Sequence, residues 1–370
     1  MLKNKCMLEV ILSIIFLLYF LFIGQLIYGF LRMKRFFKKV VVPKTAFTIV
    51  VPFRNEKENL PNLLYSISLL DYPKELVEVI LVDDDSEEKF QIPNSKFQIS
   101  LTNNQRKSNS PKKDAIETAI QLAKNDWIIT TDADCLVQKD WLKIYDQYIQ
   151  EKELEMVASG VCYVPKKGFL SAFQNLDFLS LQGATIGSFG IDKPFMCNGA
   201  NFAYSKVFFK ELNGFQGNET IASGDDVFLL QKAVSVSPDK VEFLLAKESI
   251  VATKPVETWS ELFQQRVRWA SKSTGYSSVY GKFLALLVFG GNLAWILSFL
   301  LWLIGILDQN VFMLLVALKF LIDFILLYKT ANFFESKLQY VLASSLLYPF
   351  FSVSVALYSL FGKYNWKGRS

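Results

Sequence analysis

Two carboxylates one residue apart follow a short apolar run, and they are the side chains in this chain best suited to chemistry. Residues 126–134 read Asp-Trp-Ile-Ile-Thr-Thr-Asp-Ala-Asp, which is typical of a buried strand in a parallel sheet. Ligands of open α/β sheets bind beyond the carboxyl ends of such strands, and alternate positions of an extended chain point the same way. Asp132 and Asp134 therefore form a candidate site for Mg²⁺ or Mn²⁺, which prefer hard oxygen ligands. An Asp-x-Asp that merely ends a strand in a solvated turn is the alternative.

The composition excludes several kinds of catalysis. The 370 residues include no histidine, so Ser-His-Asp hydrolysis, Cys-His proteolysis and facial-triad iron chemistry lack their central residue. We therefore expect any general base to be a carboxylate. Neither a P-loop nor a G-x-G-x-x-G fingerprint occurs, and the net charge of +5 gives no argument for nucleic acid. The cysteines are far apart and are expected to be reduced thiols in a cytosol-facing domain: Cys6, Cys135, Cys162 and Cys197.

Apolar residues are concentrated at the two ends of the chain. The hydrophobic fraction is 51% and the mean hydropathy is +0.25, which is high for a soluble protein. Residues 7–31 carry a single charged side chain, Glu9, and are long enough to cross a bilayer. Basic residues are more numerous after this run than before it, so the positive-inside rule places the following region in the cytoplasm. We expect a retained anchor, because the run is too long for a cleaved signal peptide.

Three more apolar segments, 283–307, 311–328 and 338–360, are predicted to span the membrane. Lys319 and Asp323 lie four residues apart within the second of them and could pair on one helix face. Four spans around a cytosolic middle would put both termini outside, whereas the basic C-terminal tail favours the opposite. The sequence therefore predicts the number of membrane spans only to within one.

Strands alternate with helices in the middle of the chain. The predicted strands are residues 47–52, 78–82, 97–101, 126–134 and 156–164, and the predicted helices are residues 56–70 and 112–124. This alternation implies βαβ units and a mainly parallel sheet. We therefore divide the chain into an N-terminal anchor with a basic juxtamembrane segment (1–42), an α/β domain (43–272) and a C-terminal transmembrane region of about three helices (273–370).

Six short motifs follow one another through the α/β domain. They are Val-Val-Pro-Phe-Arg-Asn-Glu at 50–56, Val-Asp-Asp-Asp-Ser at 82–86, Lys-Lys-Asp-Ala-Ile-Glu at 112–117, Asp-Ala-Asp at 132–134, Gly-Asp-Asp-Val at 224–227 and Gln-Arg-Val-Arg-Trp at 265–269. Their order over residues 45–269, between apolar segments, resembles the membrane-bound family 2 glycosyltransferases. These are inverting enzymes with a GT-A fold, and they include cellulose-, chitin- and hyaluronan-synthase-like and ceramide-glucosyltransferase-like members.

The resemblance implies a nucleotide-sugar site at the ends of the first strands. The residues that it assigns there are Pro52, Arg54, Glu56, Asp83, Asp84, Lys112 and Asp132. Either Asp83 or Asp84 would contact the base; the family usually has Gly where this chain has Asp85, which is expected to crowd the turn. Lys112 would approach the diphosphate from a helix N-terminus. The family's Gly-Lys-x-x-Ala-Leu-Asn segment matches this chain less well, because Glu117 stands where the family has Asn. The alternative to a diphosphate contact is that Lys112 simply lies at the solvent-exposed start of a helix.

The same resemblance assigns the catalytic roles. Asp134 would bind the metal, while Asp132 would touch the nucleotide sugar or share the ion. Inversion is a single displacement that needs one base for the acceptor hydroxyl, and the alignment gives this role to Asp226. Asp225 would orient or bind the acceptor. A helix N-cap pair of acids is the structural alternative for these two residues.

Two further segments are implied to serve the acceptor and the diphosphate. Gln265, Arg268 and Trp269 match the family's Q-x-x-R-W, in which Arg can grip phosphate and Trp can stack on a sugar ring. An amphipathic helix at the membrane interface is a compatible interpretation. Residues 198–202, Asn-Gly-Ala-Asn-Phe, resemble the family's acceptor-side loop.

These expectations favour an inverting, metal-dependent transferase with a cytosolic GT-A domain. The donor would be a nucleotide sugar, with UDP-sugars first, and the acceptor a membrane lipid or a lipid-linked group. A processive polysaccharide synthase is the first alternative, and Q-x-x-R-W favours it. A non-enzymatic membrane scaffold built on a degenerate domain is the second. The sugar, the linkage and any partner subunit stay open.

Overall fold

The computed structural model describes residues 2–218 and 224–361. The basic C-terminal tail and the side chain of Cys6 lie outside this description. Cys135, Cys162 and Cys197 are free thiols, as predicted. The strands are β1 (Phe47–Phe53), β2 (Val77–Asp83), β3 (Gln98–Asn103), β4 (Trp127–Thr130), β5 (Cys135–Leu136), β6 (Met156–Ser159), β7 (Val161–Tyr163), β8 (Phe202–Ser205), β9 (Val241–Leu244) and β10 (Val251–Thr253). The α-helices are α1 (Leu2–Arg32), α2 (Leu60–Ser68), α3 (Pro111–Leu122), α4 (Trp141–Lys152), α5 (Phe169–Gly190), α6 (Lys206–Glu211), α7 (Asp225–Val236), α8 (Trp259–Ser271), α9 (Val279–Leu303), α10 (Gln309–Phe334) and α11 (Val341–Phe361).

The chain divides into two compact units. The α/β unit comprises Met33–Val164 and Pro194–Lys254, and the helical unit comprises Met1–Arg32, Pro165–Lys193 and Pro255–Ser370. The α/β unit contains all ten strands. Residues 165–193 and 255–272, which were predicted to belong to the α/β domain, group with the long apolar helices.

A seven-stranded sheet in the order β3-β2-β1-β4-β8-β6-β9 forms the centre of the α/β unit. Among these strands only β8 runs antiparallel to its neighbours. The order changes direction between β1 and β4, with β2 and β3 on one side and the later strands on the other. The carboxyl ends of β1, β2 and β4 therefore meet at one edge, which is where open α/β sheets bind ligands.

The buried apolar sequences of the first two strands explain why they lie at the sheet centre. Ile49, Val50, Val51, Val79 and Leu81 are fully buried, which is typical of parallel strands covered on both faces. The predicted strands 47–52 and 78–82 are confirmed to within one residue at each end. The predicted strand 156–164 is two strands, because the chain leaves the main sheet at Gly160 and continues as β7 in a small sheet with β10 and β5.

Four helices of the helical unit are long and apolar enough to cross a membrane: Met7–Arg32, Val279–Leu303, Gln309–Phe334 and Val341–Leu360. These correspond to the four predicted spans, and Pro349 lies inside the last of them. The predicted pair within α10 is confirmed, since Lys319 Nζ lies 2.7 Å from Asp323 Oδ2. The Tyr19 hydroxyl of α1 donates to the other oxygen of Asp323 at 2.6 Å, so the pair also ties α1 to α10.

Helix α5 was not predicted from the sequence, and it packs tightly against α1. A Cβ atom on Gly187 would lie 2.3 Å from the Leu26 carbonyl oxygen, and one on Gly190 would lie 1.9 Å from the Gly29 carbonyl oxygen. Only glycine allows backbones to approach this closely, as in the small-residue contacts of membrane helices. Polar side chains such as Gln174 and Gln182 interrupt the apolar pattern of α5, which explains why hydropathy did not reveal it.

Candidate active site

The ends of β1 and β2 bring four predicted nucleotide-site residues together. Phe53 pairs with Asp83 in the parallel register, and the Asp84 amide donates to the Phe53 carbonyl at 2.8 Å. Arg54 then turns back, and its Nη1 donates to the Asp84 carbonyl at 3.0 Å. Pro52 lies one residue earlier on β1, opposite Val82. The short parallel pairing therefore fixes this part of the site.

The two neighbouring acids at the end of β2 have different environments. Asp84 is 5% exposed, and its Oδ1 accepts from Asn104 Nδ2 at 2.8 Å and from Arg106 Nε at 2.7 Å. Asp83 is partly exposed and accepts from the Ser86 amide at 3.0 Å. Asp83 is thus the more accessible of the two for a ligand. Arg106 was missed by sequence reasoning, since it lies in a polar loop with no motif around it.

Asp85 adopts the left-handed backbone conformation that usually favours glycine. Its φ is +63°, and its side chain is 86% exposed. Aspartate tolerates this region better than most residues, so the chain can make a left-handed turn here without glycine. The expected crowding of the turn is therefore avoided by pointing the side chain outward.

The metal motif lies in a turn and not on the extended strand that its sequence predicts. β4 ends at Thr130, and the Cys135 amide closes a turn by donating to the Asp132 carbonyl at 3.1 Å. The side chains of Asp132 and Asp134 still interact electrostatically. Their proximity follows from the turn and not from strand alternation.

Asp134 is held in an environment that disfavours its charge. Burial, the Asp132 carboxylate and the Glu56 carboxylate raise the pKa of Asp134 to about 6, against a smaller opposing effect of a hydrogen bond with Thr253. Thr253 reaches this position because β10 pairs with β5, where it lies opposite Cys135. The sequence alone did not indicate Thr253, because no motif surrounds this residue and only the strand pairing brings it close to Asp134. A divalent cation would relieve the repulsion among these carboxylates.

Lys112 lies at the centre of the acidic cluster. Its ammonium nitrogen is 2.7 Å from Asp132 Oδ1 and 3.6 Å from Asp225 Oδ2. Burial lowers the pKa of Lys112, but the carboxylates of Asp132, Asp225 and Asp226 raise it, with the net result well above its ordinary value. The side chain is 26% exposed and stays a cation at every physiological pH. Lys112 therefore connects the metal motif to the second pair of acids.

Asp225 and Asp226 begin helix α7, and only one of them faces outward. Asp225 is 6% exposed, whereas Asp226 is partly exposed. The Gly199 amide donates to Asp226 Oδ2 at 2.8 Å, and the Val227 amide donates to Oδ1 at 2.8 Å. These bonds fix the carboxylate at the helix start without burying it, which suits an acceptor of protons.

The loop at 198–202 serves the site through its backbone. Thr130 Oγ1 donates to the Gly199 carbonyl at 2.6 Å, so the loop is held between β4 and Asp226. Asn201 is fully buried, receives hydrogen bonds from Trp141 and Tyr145, and donates to two backbone carbonyls. The Asn201 side chain therefore organises the core of the unit and has no donor or acceptor group left for a substrate.

The two residues that follow Lys112 on α3 have structural roles. Lys113 is 1% exposed and donates to the Asn218 carbonyl at 2.6 Å. Asp114 accepts from the amides of Lys107 and Ser108 and from the Ser108 hydroxyl, so it organises the loop before α3. These residues stabilise the start of the helix that presents Lys112.

The Q-x-x-R-W residues lie on α8 in the helical unit. Thr258 and Glu261 form a capping box that fixes where this helix begins. Gln265, Arg268 and Trp269 are all half-buried, and their i, i+3, i+4 spacing places them on one face. The structure therefore brings the other ten predicted site residues together in the α/β unit, and these three in the helical unit.

The carboxylates at this site fit a divalent cation whose remaining coordination positions are filled by oxygens of a bound substrate. Within 2–218 and 224–361, no group of three or more acidic or cysteine side chains forms a ready-made metal cage. Asp132 and Asp134 supply two carboxylates beside Glu56, and an ion of the Mg²⁺ type usually binds through one or two carboxylates plus phosphate oxygens. The residues present therefore fit such an ion together with a phosphorylated substrate.

Comparison with known sequences gives the class of the domain. Residues 48–212 match the glycosyl transferase family 2 domain. Glycosyltransferase AglE of Haloferax volcanii is 21% identical over 60% of this chain and 70% of its own length. The poly-β-1,6-N-acetyl-D-glucosamine synthase of Staphylococcus epidermidis is 21% identical over 69% of this chain and 62% of its own. Poly(ribitol-phosphate) β-N-acetylglucosaminyltransferase TarS of Staphylococcus aureus is 27% identical, but the match spans only 30% of this chain and 20% of TarS.

Comparison with solved structures gives the fold. The mannosyltransferase PcManGT from Pyrobaculum calidifontis, solved in complex with GDP-Man and Mn²⁺, superposes with a TM-score of 0.57. The alignment covers 97% of this chain and 98% of that protein at 15% identity. The predicted fold class, a GT-A α/β domain accompanied by apolar helices, is confirmed. The chain therefore carries a glycosyl transferase family 2 domain of GT-A fold, and it is a glycosyltransferase.

Proposed function

We propose that the chain is an inverting, metal-dependent glycosyltransferase that moves a sugar from a nucleotide sugar to a membrane lipid or a lipid-linked acceptor. One observation carries the proposal: Lys112 lies within 3.6 Å of acids from both the metal motif and the start of α7. In a glycosyl transfer the diphosphate leaves and the hydroxyl attacks within a few ångströms of each other. This cluster contains a cation that can stabilise the leaving diphosphate and carboxylates that can accept the proton of the hydroxyl.

Different residues of the cluster suit the two parts of the displacement, which are the attack of the acceptor hydroxyl and the departure of the diphosphate. Asp226 is the accessible carboxylate, and it takes the proton of the acceptor hydroxyl while that oxygen attacks the anomeric carbon. The bond from that carbon to the diphosphate breaks in the same step, so the configuration inverts. Lys112 complements the negative charge that develops on the leaving group. Asp225 holds Lys112 in place from the buried side.

Mg²⁺ or Mn²⁺ would be held by Asp134 and Asp132, and when bound it stabilises the departing diphosphate as a Lewis acid. Asp83, the more accessible acid of β2, contacts the nucleotide base, with Pro52, Arg54 and Glu56 around it. We expect a UDP-sugar as donor, and UDP-N-acetylglucosamine is the first to test, because two relatives are named for transfer or polymerisation of N-acetylglucosamine.

The acceptor is proposed to lie in the membrane, with the α/β unit on the cytoplasmic side. Four helices long and apolar enough to cross a bilayer flank the domain in sequence, and basic residues follow the first of them. Gln265, Arg268 and Trp269 of α8 would contact the acceptor or the diphosphate. A processive polysaccharide synthase is the second candidate, favoured by the Q-x-x-R-W motif and by the relative that is named as a synthase.

The test is nucleotide-sugar turnover in membranes that contain the full chain. A panel of UDP- and GDP-sugars is supplied with Mg²⁺ or Mn²⁺, and the variants are Asp134→Ala and Asp226→Asn, with exposed Asp239→Asn as the matched control. We expect turnover of one donor that EDTA and both site variants abolish and that Asp239→Asn preserves. Label in extractable lipid supports the first candidate, and label in insoluble polymer supports the second. No turnover and no nucleotide binding would point to a non-enzymatic scaffold.

A further inference from the structure

One arginine of the Gln-Arg-Val-Arg-Trp segment is buried, although three of its neighbours in the segment are partly exposed. Arg266 is 5% exposed, whereas Gln265, Arg268 and Trp269 are all partly exposed. A guanidinium is almost never buried unless it is paired, because the cost of removing the charge from water is high. The contacts of Arg266 therefore need a physical explanation.

Arg266 contacts its partner acid and two residues of the motif at once. Its Nε lies 2.5 Å from Asp177 Oδ2 on α5, and its Nη1 donates to Gln265 Oε1. The guanidinium carbon lies 4.3 Å from the centre of the Trp269 ring. Trp269 also contacts Phe178, the residue after Asp177, with ring centres 6.1 Å apart.

This arrangement uses properties that only arginine has. The planar fork donates in two directions, while its face stacks on an aromatic ring. A lysine could pair with Asp177 but could not hold Gln265 and Trp269 in the same geometry. The Asp177 carboxylate is itself 6% exposed, so the whole arrangement is fixed to α5 from inside the helical unit.

We propose that Arg266 is a positioning residue, which, anchored by Asp177, presets the side chains of Gln265 and Trp269 for the acceptor. This inference rests on the proposed function of the Q-x-x-R-W residues. The residues that determine acceptor binding then include Arg266, which occupies an unspecified position of Q-x-x-R-W, and Asp177 on α5. Arg266 itself does not contact substrate.

The first test uses Arg266→Lys in the full chain, reconstituted with vesicles of total lipid extract from the expressing cells. The labelled donor is the one that the wild-type chain turns over. We expect the half-saturating amount of lipid extract to rise about tenfold, the size of effect that loss of a desolvated cation–π contact gives. Sugar incorporated per nucleotide released should fall, while the donor KM stays the same.

The second test separates positioning from simple packing. Asp177→Leu with Arg266→Met replaces the buried pair by apolar side chains of similar size, a change that proteins often tolerate or gain stability from. We expect this double variant to keep its melting temperature and donor KM but to retain the tenfold acceptor defect. Lys319→Met with Asp323→Leu, the same exchange in α10, is the matched control and should leave acceptor saturation unchanged.

Two outcomes overturn the proposal. One is a double variant that saturates with lipid extract as the wild-type chain does. The other is an Arg266→Lys variant in which the donor KM rises together with the half-saturating amount of lipid extract, because a purely structural role would weaken the binding of both substrates. Failure of the proposed function is a separate result, because it appears as absent donor turnover in the wild-type chain.

Discussion

The ammonium nitrogen of Lys112 lies 2.7 Å from a carboxylate oxygen of Asp132, and this pair joins the start of helix α3 to the metal motif. Asp132 comes from the end of β4 and Lys112 from the helix that precedes β4 in the chain. Helix α3 connects β3 to β4, which run parallel within the sheet, so the start of α3 and the end of β4 lie at the same sheet edge. The pair therefore depends on the topology and not on any local sequence pattern.

Replacing Lys112 by Met should lower kcat/KM by about 10² to 10³, because charge stabilisation of a leaving group contributes effects of this size. Donor binding should weaken as well, since the diphosphate loses its cation. Titration calorimetry with the nucleoside diphosphate measures the second effect. Exposed Lys107→Met is the control in the loop before the same helix. An unchanged affinity for the diphosphate in Lys112→Met would exclude this role.

Asp226→Asn should lower kcat by about 10² to 10⁴ and leave donor affinity intact, because general-base catalysis typically contributes that much. Asn keeps the size and can accept one of the two backbone hydrogen bonds that the carboxylate accepts from Gly199 and Val227. Asp225→Asn should instead weaken donor binding and lower stability, because the buried side of Lys112 loses its counter-ion. Rapid-quench kinetics and donor titrations distinguish the two variants. The assignment is reversed if Asp225→Asn abolishes the chemical step while Asp226→Asn retains it.

Asp134→Asn should stabilise the metal-free protein at neutral pH while abolishing its activity. The pKa of Asp134 is about 6 in the folded state and 3.8 for an ordinary aspartate, so the ionised form opposes folding above pH 6 and the effect fades as the pH falls toward 4. The gain at pH 7.5 is on the order of 3 kcal/mol. Thermal unfolding in EDTA at pH 7.5 and pH 5 measures it. Equal gains at both pH values would contradict burial and charge repulsion as the cause, and Mn²⁺ should stabilise only the wild-type protein.

Gly187→Ala should destabilise the helical unit, because the added methyl group would meet the Leu26 carbonyl oxygen at 2.3 Å. Overpacking of this kind costs about 1 to 3 kcal/mol. Gly24→Ala is the matched control on α1, since a Cβ there has nothing within 4 Å, and it should be neutral or slightly stabilising. The melting temperature in detergent is the readout. Similar values for the two variants would mean that α1 and α5 separate easily.

The residues of the α/β site could largely be predicted, because each follows an apolar run or opens a helix. Asp83 and Asp132 follow β2 and β4, and Lys112 opens α3. The choice between Asp83 and Asp84 could not be made, because it depends on Arg106 from a loop about 20 residues away. The position of Thr253 beside Asp134 depends on the pairing of β10 with β5, which are separated by more than 100 residues.

The helical unit was predictable only where hydropathy was uniform. Helix α5 mixes glycines with buried amide and carboxylate side chains whose partners are distant in sequence. Gln174 exchanges hydrogen bonds with the backbone of Val256, and Asp177 pairs with Arg266 of α8, so a local sequence window includes neither partner. The partner of Arg266 on α5, Asp177, was hidden for the same reason. The start of α2 lies at Leu60 and not at the predicted residue 56, because residues 57–59 form a turn before the helix.

The pairing of Lys319 with Asp323 occurs within a single helix, and this has a consequence for how the chain enters a membrane. Because both charges lie on α10, their neutralisation needs no other segment and is available as soon as that helix forms. Helix α1 adds the hydroxyl of Tyr19, which donates to Asp323, and the ring of Tyr19, whose centre lies 4.8 Å from the Lys319 ammonium nitrogen. We therefore expect insertion of α10 not to require packing against α1, whose tyrosine then strengthens the contact between the two helices.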